Sequence, residues 1–201
     1  MRRENQNEQG LSRISVLCIG CLFGWMGLVF TASSTHAQGT VFSADNGYVE
    51  FVSTAPLLEF KGVSNVLAGY IDLEEGVVDF FVDLATLDTG NRRRDRDMRQ
   101  VYLETETYPF AEFEGRLTTP FNNRVPGEQT ARVEGTFTMR DISLPIEVEG
   151  TMERVPEGVR VRASWQIRLE DYNIDRPRVV FYELSEVQTV SIDIVLNEQD
   201  S

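Results

Sequence analysis

From Tyr48 to the end of the chain, apolar and polar residues mostly alternate, and Gly, Pro, Asn and Asp separate the runs. A period of two is the pattern of strands buried on one face. It predicts strands over 48–53, 57–63, 66–73, 77–84, 110–117, 130–139, 144–154, 159–169 and 187–196. Glu74-Glu75-Gly76 and Pro156-Glu157-Gly158 have the composition of tight hairpin connections. Only 91–102 breaks the pattern: Met98, Val101 and Tyr102 recur at helical spacing among charged residues, predicting one short helix capped by Thr89 or Asn91.

Alternation sorts the strands into two faces. One face collects Leu58, Phe60 and Gly62; Val78, Phe80, Val82 and Leu84; and Ala111, Phe113 and Gly115. It continues with Val133, Gly135, Phe137 and Met139; Ile146, Val148, Gly150 and Met152; Val161, Ala163, Trp165 and Ile167; and Val190, Ile192 and Ile194. The other face carries the charges, among them Asp79, Glu112, Glu114, Glu147, Glu149, Arg160, Arg162 and Asp193. With no long amphipathic helix to cover so apolar a face, the sheet has to close on itself. The expected fold class is therefore all-β, a closed antiparallel β-barrel of about eight strands, a size that either fills with side chains or holds one small ligand. Gly62, Ala111, Gly115, Gly135, Gly150 and Ala163 lie on the inner face. Glycine in a strand marks either a bend in a filled core or room for something else, and the pattern alone leaves both open.

The N-terminus narrows the chemistry. Arg2, Arg3 and Arg13, an apolar run from Ile14 to Phe30, and small residues ending in Thr35-His36-Ala37 have the order of a secretory signal. The expectation is a signal over 1–37 and one domain over 38–201, exported to the periplasm or secreted. The alternative is a retained anchor. Cys18, Cys21 and the single His, His36, all precede the expected cleavage point. The domain then has no disulfide, no thiolate or Ser-His nucleophile and no zinc ligand set, and neither cofactor nor metal is expected. Removing Arg2, Arg3, Arg13, Glu4 and Glu8 takes a net +1 from the chain's −13, leaving −14. So acidic a surface argues against nucleic acid as a partner.

Four stretches in order are similar to the YceI-like family. They are Phe60-Lys-Gly-Val-Ser-Asn-Val-Leu-Ala-Gly69, Asp83-Leu-Ala-Thr-Leu-Asp-Thr-Gly-Asn-Arg-Arg-Arg-Asp95, Tyr108-Pro-Phe-Ala-Glu-Phe113 and Val133-Glu-Gly-Thr-Phe-Thr-Met-Arg-Asp-Ile-Ser-Leu-Pro-Ile146. The first resembles that family's early hairpin. The resemblance implies a lipocalin-like barrel with a long cavity for polyisoprenoid or other long-chain amphiphiles, and it allows a homodimer. Where many members have a His-Gly turn this chain has Arg140-Asp141-Ile142, and Asp171-Tyr-Asn-Ile-Asp-Arg-Pro177 replaces a Phe-Gly-Ile stretch.

With the resemblance, the expected ligand is an isoprenoid, quinone-like or fatty amphiphile, and the lumen residues expected to meet it are Phe60, Phe80, Val82, Phe113, Val133, Gly135, Phe137, Met139, Val148, Gly150, Met152, Val161, Trp165 and Ile192. Arg92, Arg94 and Arg96 belong to the one basic run of an acidic chain. They would hold an anionic headgroup at the mouth or simply form a solvated helix face. Substituting leucine for Gly135 or Gly150 is expected to block the lumen and spare the fold. Two rivals stand beside the carrier. One is a filled barrel acting through its surface on an envelope protein. The other is a hydrolase using Glu104/Glu106 or Glu112/Glu114, the latter pair placed on the outer face by alternation.

Overall fold

The computed structural model describes residues 41–55, 58–176, 178–179 and 182–199; the expected signal lies outside them. Eight long strands carry the alternating pattern: β1 (Val41–Ala55), β2 (Leu58–Asp72), β3 (Val77–Asp83), β4 (Phe110–Leu117), β5 (Glu128–Met139), β6 (Ile142–Val155), β7 (Gly158–Arg168) and β10 (Val187–Glu198). They close an antiparallel barrel in the order β1-β10-β7-β6-β5-β4-β3-β2. Two short strands, β8 (Arg178–Val179) and β9 (Tyr182–Glu183), form a separate ribbon in the connection from β7 to β10.

The helix is split. Asn91 caps α1 (Arg92–Asp97), its side chain accepting from the Arg93 and Arg94 amides, and Met98–Tyr102 continues as a wider π-helical turn. Thr89 is not the cap. Its amide and hydroxyl donate to the buried carboxylate of Asp95, fixing the chain just before the helix.

Two strand boundaries differ from the alternation. The runs 57–63 and 66–73 are one strand, β2, without a hairpin between them. Ser64 and Leu67 are both buried while Asn65 and Val66 are exposed, so the inward phase slips by one residue where the register against β1 also shifts. A bulge does this: one extra residue breaks the period and leaves the strand intact. β1 likewise starts at Val41 rather than at Tyr48, because the turn-like Asp45-Asn46-Gly47 sits in a bulge against both neighbours.

The barrel has two unlike ends. At one, the turn end, lie the β2–β3 and β6–β7 hairpins and the start of β1. Phe42, Val159, Ile194 and Leu196 plug it, each no more than 2% exposed, and Ile71 and Met152, equally buried, lie between this plug and the lumen. The other, the helix end, carries α1, the β5–β6 turn and the β7–β10 connection.

One ladder stops well short of the strands that could carry it. β6 pairs with β7 only from Gly150↔Ala163 to Val155↔Gly158, although β6 begins at Ile142 and β7 ends at Arg168. Towards the helix end the two strands diverge, each keeping only its other neighbour, β5 or β10. Pro145 lies in this half of β6. Proline has no N–H to donate, so it belongs on a strand with a free edge.

Candidate functional site: an apolar cavity at the helix end

The lumen holds a cavity of about 650 Å³, within the range of sites that take small organic ligands. Its wall is built by alternation, each strand sending every second side chain inward. All the lumen residues expected from the sequence line it except Gly135. A Cβ at Gly135 would lie 2.3 Å from the Glu114 carbonyl oxygen and 2.7 Å from the Gly115 Cα. Gly135 thus lets β4 and β5 approach closely and makes no room in the lumen. Gly150 does line the cavity, yet a Cβ there would lie 2.4 Å from the Arg162 carbonyl oxygen. The expectation that leucine at either position would block the lumen and spare the fold is corrected: the side chain would strike a neighbouring strand's backbone.

Alternation within strands could not show what covers the helix end. Met98, Tyr102 and Leu103 descend from the helical segment, and Ile174 and Leu184 come from the β7–β10 connection. The helical spacing of Met98 and Tyr102 was visible in the sequence; the surface they pack on was not. Ser53 and Gln188, both buried, are polar positions in the wall, and the Gln188 amide donates to the Ser185 carbonyl.

The arginines divide by helix geometry. At about 100° per residue, Arg93, Arg94 and Asp97 share one face, and these three line the cavity while Arg92 and Arg96 do not. Arg94 lies over the Phe60 ring at 4.1 Å, and its guanidinium donates to the Thr89 hydroxyl (2.8 Å) and carbonyl (2.7 Å). It braces the mouth. Arg99 donates to the Leu87 carbonyl at 2.7 Å. Arg93 is an exposed cation at the rim, in a loose 3.9 Å ion pair with Asp97.

The glutamates do not converge on the cavity. Glu112 and Glu114 are exposed on the outer face, and Glu104 pairs with Arg140. Among the described residues no group of three His, Cys, Asp or Glu is placed to hold a metal.

The YceI-like domain family matches residues 34–197. The chain belongs to the YceI-like family. Solved structures share the fold at low identity. A polyisoprenoid-binding domain from Saccharophagus degradans implicated in plant cell wall breakdown is 18% identical with a TM-score of 0.67, over 81% of this chain and 100% of that one. BcnA of Burkholderia cenocepacia is 15% identical, TM-score 0.62, over 75% of this chain and 94% of that one. The YceI protein of Campylobacter jejuni is 17% identical, TM-score 0.55, over 69% and 84%. No curated protein matches the chain. Membership accounts for the four stretches noted above and for the lipocalin-like closure of the sheet.

Proposed function

We propose that this YceI-like protein is an exported binding protein that sequesters or carries a long-chain apolar ligand, of polyisoprenoid, quinone-like or fatty type, in the barrel lumen. The observation that carries the reading is the cavity of about 650 Å³ walled by aliphatic and aromatic side chains. An open lumen favours this reading over a filled barrel acting through its surface. Burial of a tail is enough for affinity: at about 25 cal/mol per Å², a few hundred Å² contributes several kcal/mol before the cost of association. Selection would then rest on length and girth. The polyisoprenoid-binding domain of Saccharophagus degradans supports the ligand class, and the charged, apolar and small-residue order of 1–37 supports export to the periplasm.

The lumen residues named from the sequence, less Gly135, are the proposed tail contacts. Arg93 replaces Arg92 and Arg96 as the cation a charged headgroup would meet, with Arg94 beside it in a bracing role.

The test is native mass spectrometry of the protein purified from its export compartment, followed by organic extraction. A stoichiometric long-chain species is expected. Val148→Trp, which fills the lumen from its wall, should abolish that species and keep the folded mass. Purified wild type that carries nothing and takes up neither a polyprenyl nor a fatty-acyl probe would overturn the reading.

A further inference from the structure

Three turns meet at one side chain. Arg140, in the β5–β6 turn, pairs with the Glu104 carboxylate, donates to the Asn173 carbonyl at 2.5 Å and lies 5.4 Å from the centre of the Tyr108 ring. Its side chain is only 14% exposed. Glu104, Arg140 and Asn173 are also, among the described residues, the non-glycine positions with positive φ, at 51°, 58° and 53°. Left-handed backbone at a residue with a Cβ costs about 1 kcal/mol or more, and three such positions have been brought into one hydrogen-bonded cluster. Strained positions persist where the surroundings hold them, and they gather at clamps and switches.

What the cluster holds is the segment Leu169–Arg176, which follows β7 and lies beside the missing part of the β6–β7 ladder. Leu169, Tyr172 and Ile174 are buried, and Leu169 and Ile174 reach the cavity. Tyr172 stacks edge-on against Phe137 at 5.7 Å, and Phe137 stacks against Trp165 of β7 at 5.9 Å. Phe137 therefore spans the place where β6 and β7 part, and the segment packs on it. Side chains, rather than a hydrogen-bonded ladder, close this side of the barrel, so it can open without breaking strand pairing.

We infer that the gap between β6 and β7 is a lateral portal to the cavity, closed by Leu169–Arg176 as a strap and latched by Arg140 to Glu104 and Asn173. The inference rests on the carrier reading of the same cavity. A long tail could slip sideways through such a portal without threading past the α1 cap. The latch is a positioning device and touches no ligand. Its ion pair is partly open to solvent, Glu104 being 43% exposed, so salt weakens it.

Exchange kinetics test the portal. The probe is cis-parinaric acid, a fluorescent polyene fatty acid, bound to delipidated protein and followed by energy transfer from Trp165. Arg140→Ala should raise association and dissociation rates together by about tenfold, the factor set by roughly one charge-assisted hydrogen bond, with the dissociation constant nearly unchanged. Glu104→Gln keeps a hydrogen-bonding partner for Arg140 and covers the case in which Arg140→Ala does not fold. It should speed exchange less, and it should abolish the acceleration that added NaCl produces in the wild type. Arg154→Ala is the control. Arg154 is an arginine of the turn end that pairs with Glu198 and lies over Phe42, and its loss should leave both rates unchanged. Wild-type exchange rates in Arg140→Ala, or in Glu104→Gln with the salt response intact, overturn the portal while the carrier reading stands. A wild type that binds no parinarate and no polyprenyl probe overturns both.

Discussion

The two ends of this barrel are made from the same alternating strands and have opposite interiors. At the turn end, large side chains meet glycines across the wall: a Cβ at Gly47 would lie 2.6 Å from Ile194, and one at Gly69 would lie 2.3 Å from Phe80 and 3.1 Å from Leu196. Each glycine makes a hollow that its neighbour fills, which gives the close packing of a protein core. Above this plug the matching continues only in part, a Cβ at Gly62 lying 2.2 Å from the Phe51 ring, and the cavity runs from the helix end between Phe60, Phe80, Phe113, Phe137 and Trp165 down to Ile71 and Met152. The difference suggests a division of labour in which the packed end supplies stability and the hollow end keeps its capacity for a ligand. An end lined by apolar side chains that touch nothing on one side forgoes contacts it would otherwise make.

The sharpest way to break this comparison is at the glycines that join strands. Gly135→Leu and Gly150→Leu place atoms within 2.4 Å of a neighbouring strand's carbonyl oxygen. Both should cost more than the ~1–3 kcal/mol of ordinary overpacking and yield little folded protein by circular dichroism. Next come matched truncations at the two ends. Phe42→Ala removes a side chain that is 0% exposed and should cost ~3–5 kcal/mol in urea unfolding. Phe60→Ala, in the cavity wall, should cost less than about half of that because one side of its ring already lacks neighbours. Equal losses would mean that the helix end is packed in solution.

The smallest effects lie on the outer wall and should leave uptake untouched. Burial and the facing Glu114 raise the pKa of Asp79. The penalty is in full force above that raised value and fades as pH falls through it. Asp79→Asn should therefore raise the melting temperature at neutral pH, with the gain shrinking in acid. Asp193 is the reverse case: Arg160, chiefly through its hydrogen bond, and then Arg162 lower its pKa. Its contribution is present above the ordinary carboxylate range and is lost as pH falls through the depressed value. Asp193→Asn should lower the melting temperature at neutral pH by a modest amount that disappears in acid.

Much of the site could be read because alternation is strict wherever one face of a strand is buried. A single residue's slip would turn every side chain to the wrong face, so Val133, Phe137, Val148, Val161 and Ile192 could be placed in the lumen from their parity alone. Parity failed where it is physically undefined. The bulges in β1 and β2 add a residue, so alternation starts the first strand only at Tyr48 and breaks the second after Val63. Parity also says that Gly135 points inward without saying whether the next strand is pressed against it. Among the arginines, composition found the cluster, but only the rotation of α1 puts Arg93 at the rim and turns Arg92 and Arg96 away.

The sequence by itself determined the strand periodicity, the closure of the sheet, the apolar inner face and the lack of cysteine and histidine in the barrel strands. These follow from local spacing and from which side chains are present. Tertiary structure alone decided that one end is filled and the other hollow, that the β6–β7 ladder stops at Gly150, and that Glu104, Arg140 and Asn173 come together. Those outcomes depend on strand register, the path of connections and contacts between residues far apart in the chain, and no periodic pattern encodes such distances.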